Sequence, residues 1–453
     1  MKTFLLFLCS MFLLACNPDY LDLKRDKSQT VPTTLDDFDG LLGNSMTMNQ
    51  SSSHTLGMIS GDEYEVRDAS VGLVSRDFER AAFLWQQDIF GNAESEDWNG
   101  AYRRILYCNI ILEGLQKVIR NEINKVRYDR IKGECLFQRS LMFFNLAMQF
   151  AALPTDKQRS IYGIPLRTGS DPEQKNARNT VQETYDRIIT DLLEAESLLP
   201  QGGLSIYRAD KVAVQALLAR VYLVLEDYNS ASAYSMKTIQ ADHTLLNYNS
   251  LDPNLNFPFP SYGSGNTEIL FYDMPDYAEL ISETYAKIPD VFYNSFDQND
   301  LRKILFFRSE DPEKITFRGT YGGNYVDFSG LSLDESYLTL AECLVRQGEI
   351  NQGMSYLKKL LTSRFKREST VYIPVLNQQE ALKFVLNERK KELLFRGVRW
   401  MDLRRINLLE ETAIVLHRNY EGKELVLNPN DVRYIFPIPQ SVLLNSDVIQ
   451  IPR

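Results

Sequence analysis

Histidine, tryptophan and cysteine are all scarce: three, three and five in 453 residues. His54, His243 and His417 lie far apart, and none has a partner at metal-ligand spacing, so no metal site is expected. Beyond Cys9 and Cys16, the remaining cysteines Cys108, Cys135 and Cys343 each fall in an apolar, helically patterned segment. An odd number with no CxxC spacing excludes a disulfide framework or a zinc ribbon, and buried free thiols are expected. There is no GxSxG elbow, no phosphate-binding loop, no HExxH and no dinucleotide fingerprint, so neither an enzyme nor a bound cofactor is expected. Basic charge is also short, with 50 Lys and Arg against 60 Asp and Glu and a net charge of −10. Nucleic-acid binding is not expected of such a chain, because phosphate contacts need a basic field.

Long apolar runs are missing too, with one short exception. No stretch reaches the 18 or so residues of a membrane span. The opening "MKTFLLFLCSMFLLAC" has a basic Lys2 and an apolar run of secretory-leader length. It ends in Leu13-Leu14-Ala15-Cys16, the pattern a lipoprotein signal peptidase requires. The expectation is a leader over residues 1–15 and a diacylglycerol on Cys16, which tethers the mature chain 16–453 to a membrane.

What is abundant is amphipathic helix. "DWNGAYRRILYCNIILEGLQKVI" from Asp97 has apolar residues at helical spacing, and the next segment puts Phe137, Leu141, Phe144 and Met148 on one face. Thr180 reads as an N-cap with Glu183 three residues on, and Pro200 as the stop. Two helix–turn–helix segments match at an offset of 122: Leu218-Ala219 aligns with Leu340-Ala341, Asp227 with Glu349, Ala231 with Gly353. This is the spacing of a tetratricopeptide hairpin. Residues 49–95 and 251–330 differ. They are rich in Pro, Gly, Asn and aromatics and read as loops and short strands. The expected fold is therefore mostly α, a tetratricopeptide-like repeat scaffold (96–250 and 331–410) with an irregular loop-rich region containing short strands.

"NERKKELLFRGVRWMDLRR", from Asn387, looks basic enough to be a binding patch. A helix from Gln379 to Phe395, ended by Gly397, and a second from Arg399 would give its cations acidic neighbours: Glu392 for Arg396, Asp402 for Arg399 and for Arg405. Internal pairing at a helix corner is the expected role, with Trp400 buried.

The order of that stretch and the later "YIFPIPQSVLLNSD" resembles the closing signature of the SusD/RagB family, outer-membrane lipoproteins of Bacteroidetes-type bacteria. "ECLFQRSLMFFNLAMQFAALP" with "YGIPL", "TYDRIITDLLEAESLLP", "ADKVAVQALLARVYLVLEDYNSA" and "SYLTLAECLVRQGEI" resemble its repeats in order, so the likeness covers nearly the whole chain. Two departures are Arg396 and Val398, where the family usually has Glu and His, and the missing Gln-Asn-Pro-Gly-Tyr ending. The resemblance implies a surface lipoprotein of the outer membrane that works in nutrient uptake and polysaccharide utilisation. Such a protein captures oligosaccharides, or peptides in some branches, and delivers them to a SusC-like TonB-dependent transporter. It also implies that the helical half faces the transporter, that the irregular half binds ligand, and that Trp98 is structural.

Sugar recognition needs flat aromatic faces plus polar groups for hydroxyls. The loop-rich stretches supply Tyr64 and Trp85 from one side and Tyr262, Tyr321 and Tyr325 from the other, with Asp62, Arg67 and Asn324 as hydrogen-bonding groups. These eight are expected to converge as an exposed platform. Tyr272, Tyr277 and Tyr293 lie in the same stretches. The acid-rich "GDEYE" and "DDFDG" offer the paired carboxylates of a glycosidase, but solvated acidic loops are the expectation.

Overall fold

The computed structural model describes residues 32–453 apart from 172, 312 and 313. The leader and Cys16 lie outside the described residues. Ten of the described helices have eight residues or more: α1 (Leu35–Leu42), α2 (Glu96–Leu115), α3 (Lys125–Phe150), α4 (Val181–Leu198), α5 (Lys211–Val224), α6 (Tyr228–Ile239), α7 (Leu333–Arg346), α8 (Ile350–Thr362), α9 (Gln378–Glu392) and α10 (Arg399–Ile406). From α2 to α6, each helix packs on the next. The chain then detours through the 251–330 loops, and α7 docks on α6.

Local chemistry sets the ends. Thr180 and Glu183 form the expected reciprocal capping box of α4. Thr34 and Asp37 form another at α1, so "DDFDG" is helix and not a solvated loop. Its acids are occupied: Asp36 pairs with Arg127, and Asp39 with Arg130 and Arg208. α3 departs from the one-sided pattern. Phe137, Leu141, Phe144 and Met148 are buried, but so is every other residue from Gly133 to Phe150. The cause is a neighbour on every side: α2, α4 and the loop region, where Phe271 meets Phe137 edge-on at 4.9 Å.

The two repeated hairpins fold in register. α5 and α7 begin at Lys211 and Leu333, and α6 and α8 at Tyr228 and Ile350, each pair 122 residues apart. Distant in sequence, they are neighbours in space, and Ala231, Leu223 and Cys343 form a small shared core. At Gly353 a side chain would approach the Ala341 carbonyl to 2.8 Å, so the helices of that hairpin touch backbone to backbone. Cys108, Cys135 and Cys343 are buried free thiols.

The basic stretch is internal architecture, with a correction to its pairing. α9 stops at Glu392, three residues short of the expected Phe395, and the turn needs left-handed backbone at Phe395 and Gly397. Of the three expected pairs, Glu392–Arg396 and Arg399–Asp402 do not form. Glu392 instead binds Arg302 at 3.0 Å and Arg364 at 2.7 Å. Arg396 reaches Asp334 at 3.3 Å, and Arg399 reaches Asp62 at 2.6 Å. Asp402 does pair with Arg405, at 2.8 Å, and also with Arg389 at 2.8 Å. Arg404 donates to the carbonyls of Met148 and Ala151 at the end of α3, where a cation is favoured. Trp400 is buried, stacks on Phe436 at 5.2 Å and donates Nε1–H to the Tyr434 carbonyl.

Among the described residues, eight short strands form four two-stranded antiparallel sheets. Two of them matter for the site. β1 (Glu65–Val66) pairs with β3 (Ala286–Lys287), placing Glu65 opposite Lys287, and so joins the two loop-rich stretches. Buried Glu79 strengthens the join by accepting the backbone N–H groups of Glu279 and Leu280 at 3.1 and 2.8 Å. β7 (Leu416–Tyr420) forms a hairpin with β8 (Lys423–Leu427).

Candidate functional site

The stretch 251–330 folds around a cavity of about 400 Å³. All of its lining residues except Phe395 come from that stretch. One wall is the Pro275–Ile288 segment, hung from Glu79 and from Arg76, which donates to the Tyr277 carbonyl at 2.7 Å. The other is the turn within "RGTYGGNYVD", residues 318–327. Gly323 has φ +63, and a side chain there would collide with the carbonyls of Phe259 and Pro260, so only glycine lets the turn lie on the 259–260 backbone. Asn324 then fixes the turn from within: its Oδ1 accepts Val326 N–H at 2.7 Å and its Nδ2 donates to the Gly322 carbonyl. The result throws Tyr325 outward, 77% exposed, on the cavity that also holds Tyr277, 57% exposed.

Charge lines the same space. Arg318 spans the carbonyls of Pro253, Leu255 and Ile304, which pins the 253–255 segment, and burial holds its pKa below the usual value. Arg308 pairs with Glu283, and Lys287 with Glu65 at 3.3 Å. Burial raises the carboxyl of Asp276 despite nearby Arg76. Desolvation alone pushes Asp327 up to about 7. No cation or hydrogen-bond donor of the described residues answers Asp327, so its oxygens remain available to a ligand. Two tyrosine faces with carboxylates and a guanidinium around them make an arrangement that packs on a sugar ring and binds its hydroxyls.

The eight residues expected to converge divide into four places. Tyr325 lines this cavity. Asp62, Tyr64, Arg67 and Trp85 line a second cleft, of about 490 Å³, between the 61–68 segment and β7; Lys287 is common to both. Tyr321 and Asn324 are buried in the wall, and Tyr262, 56% exposed, lies outside both cavities.

The expectation of exposed faces is corrected for three rings. Tyr64 is buried and donates its hydroxyl to the Ile59 carbonyl at 2.6 Å. Trp85 is buried, donates Nε1–H to the Ser60 carbonyl, and has the Arg418 guanidinium 4.4 Å over its ring. Tyr321 packs between Phe259 and Phe328 with Arg396 3.9 Å over its face. In each case an internal cation or ring takes the face a ligand would use. Asp62 is likewise engaged, with Lys390 and Arg399 at 2.7 and 2.6 Å, and those cations hold its carboxyl far below the usual range. Arg67 is exposed.

Neighbouring Glu63 is the opposite: burial raises its carboxyl to about 8. Asp62 and Glu63 of "GDEYE" thus differ as an acid–base pair would. With Glu63 only 1% exposed, no substrate reaches that pair. Among the described residues no group of three or more His, Cys, Asp or Glu is placed to hold a metal.

The cavity residues that sequence reasoning missed are Asp276, Asp327, Arg308 and Arg318, and Tyr277 was not singled out. Each adjoins or sits among the aromatics of the 251–330 stretch, which was the only signal.

Residues 19–223 match a family described as "Starch-binding associating with outer membrane", and residues 327–452 match the SusD family. The chain belongs to the SusD/RagB family. A SusD-like protein of Formosa agariphila is 23% identical over 398 residues, spanning 71% of this chain and 75% of that one. A putative sugar binding protein from Bacteroides vulgatus has the same fold, with a TM-score of 0.76 at 24% identity over 94% of this chain and 99% of that one. A SusD superfamily protein from Bacteroides thetaiotaomicron gives 0.74 at 22% identity, covering 93% of this chain and 100% of the other. The SusD/RagB match of residues 327–452 contains α7 to α10, which carry Arg389, Arg399, Arg404 and Arg405 of the arginine network.

Proposed function

We propose that this chain is a glycan-capture lipoprotein, anchored to the outer membrane through Cys16, that binds oligosaccharides in the cavity of the 251–330 loops and delivers them to a TonB-dependent transporter. The observation that carries the binding claim is a single one. Tyr277 and Tyr325 present exposed rings on one cavity of about 400 Å³ in which Asp327 has no partner among the described residues. Family membership supports the class of ligand, and so does the sugar-binding name of the Bacteroides vulgatus relative. The proposed ligand-contact set is Tyr277, Tyr325, Asp276, Asp327 and Arg308. Of the earlier candidates, Tyr262 and Arg67 keep exposed side chains to test beside them.

A glycan array probed with the mature protein tests the class of ligand. Binding to one family of oligosaccharides, with no release of shortened sugars, is the expected outcome. Binding to peptides and no glycan, or turnover of any polymer, overturns it. Co-purification of a large barrel protein with the membrane-extracted chain tests delivery.

A further inference from the structure

A groove of about 490 Å³ lies along α2 and shares no lining residue with the two hollows of the loop region. One wall is α2 from Trp98 to Asn109, and the others are the 165–176 loop and the 442–448 segment. Side chains of α2 pin the loop in place. The Tyr102 hydroxyl donates to the Pro165 carbonyl at 2.8 Å, and Asn109 Nδ2 to the carbonyls of Arg167 and Gly169 at 2.9 and 3.1 Å. Glu113 accepts the Ser170 N–H at 2.7 Å.

The groove runs against the charge of the chain. The net charge is −10, yet the lining sets Arg103, Arg167 and Lys175 against Glu173. Lys175 pairs with no acid of the described residues. Arg103 meets Glu96 at 3.0 Å, but both are open to solvent, where such a pair is weak and a ligand competes with it. Arg178, whose charge favours the ionised form of Tyr102, donates to the carbonyls of Phe150, Gly163 and Ile449 and pairs with no acid of the described residues.

The same lining accepts hydroxyls. Asn99, Asn176 and Asn445 each spend Nδ2 on the protein, on the Glu94 carboxylate and the carbonyls of Gln174 and Ser441, at 2.9, 2.8 and 2.8 Å. Those bonds fix the three amides and leave each Oδ1 to accept. Tyr102 and Val442, both half-buried, add apolar surface. Amide oxygens repel a bare inorganic anion, and the volume falls in the range of roughly 300–1,000 Å³ typical of organic ligands. An anion that also carries hydroxyls and a ring satisfies the whole lining.

We propose that this groove is a second glycan site, selective for saccharides that bear a carboxylate or a sulfate ester. The acid group meets Lys175, Arg103 and Arg167, and the hydroxyls donate to the three amide oxygens. The two sites flank the first turn of α2. Asp97 accepts the Thr55 N–H, Thr55 donates to the Asp276 carbonyl on the loop cavity, and Trp98 and Asn99 line the groove. The proposal rests on the glycan-capture reading for the class of ligand.

Calorimetric titration of the mature chain with oligogalacturonides, with sulfated galactan oligomers and with neutral galactan of the same length tests it. At least one acidic probe should bind wild type more tightly than the neutral chain, and the tighter of the two names the acid. Its affinity should fall as salt rises from about 0.05 to 0.5 M. It should persist in the Tyr277→Ala, Tyr325→Ala variant, which disables the loop cavity. Arg103→Ala with Lys175→Ala should weaken it by at least about fivefold at unchanged melting temperature. Binding that those two alanines leave intact overturns the proposal, as does binding lost with the two tyrosines. Binding to anionic phospholipid vesicles and to no acidic sugar overturns it too. A chain that binds only neutral glycans overturns the second site and leaves the capture reading standing, whereas a chain that binds no glycan overturns both.

Discussion

Asp327 and Glu63 are both carboxyls raised by burial, and they make different predictions. For Asp327 the shift, to about 7, lies on the cavity. Ligand hydroxyls that donate to the ionised carboxylate favour that form, so affinity should rise as pH goes from 6 to 8. The slope should vanish in Asp327→Asn. Titrations across that range check it, and a slope that survives the substitution removes Asp327 from the site. For Glu63 the effect is on stability. Its folded pKa, about 8, lies above the ordinary carboxyl value near 4.5. Between those values the unfolded chain has lost the proton and the folded chain keeps it. Stability therefore falls as pH rises through that window, by about 1.4 kcal/mol per pKa unit of difference. Glu63→Gln keeps the neutral shape, so its melting temperature should lie above that of the wild type at pH 8 and converge with it at low pH. Parallel melting curves at every pH would contradict the buried, protonated Glu63.

At the scale of elements, the closing helices were legible in outline and misread in detail. The pattern of α9 and α10 placed Trp400 inside and made the arginines structural, because apolar spacing and acidic neighbours are visible in sequence. The partners Asp62, Glu268, Asp334 and Glu342 were not legible, since they lie 62 or more residues away from Arg399, Arg364, Arg396 and Arg405, which they respectively bind. The aromatic site failed for the same kind of reason. Tyr64, Trp85 and Tyr321 have the same loop setting as Tyr325, and only the fold places Arg418 or Arg396 over two of those faces. The repeat spacing, by contrast, is a local signal, and the offset of 122 is seen at both hairpin starts. Trp400→Ala, which empties the stack on Phe436, should cost about 3–5 kcal/mol. Glu392→Ala should cost less than that, because it removes one carboxylate from Arg302 and Arg364 while Asp300 and Glu388 still pair with the first and Glu268 with the second. Denaturant unfolding measures both. A loss of glycan affinity with unchanged stability would instead make this corner a binding surface.

For the whole molecule, one buried core runs through the helical array and the loop-rich region, so the loops are held in shape by the scaffold. No helix among the described residues is long and apolar enough to cross a membrane. The proposed attachment through Cys16 predicts that Cys16→Ser yields protein of unchanged melting temperature that no longer floats with membranes stripped of the transporter. Full retention of that variant would contradict the tether. The central claim is that the cavity under Tyr277 and Tyr325 holds the sugar. Its most direct test is calorimetric titration of the best array ligand into wild type and into the Tyr277→Ala, Tyr325→Ala double variant, with melting temperatures in parallel. Each stacked ring contributes on the order of 1 kcal/mol and 1.4 kcal/mol is tenfold in affinity, so the double variant should lose at least about tenfold while melting as the wild type does. Equal affinity in the two proteins would place the sugar elsewhere on the molecule.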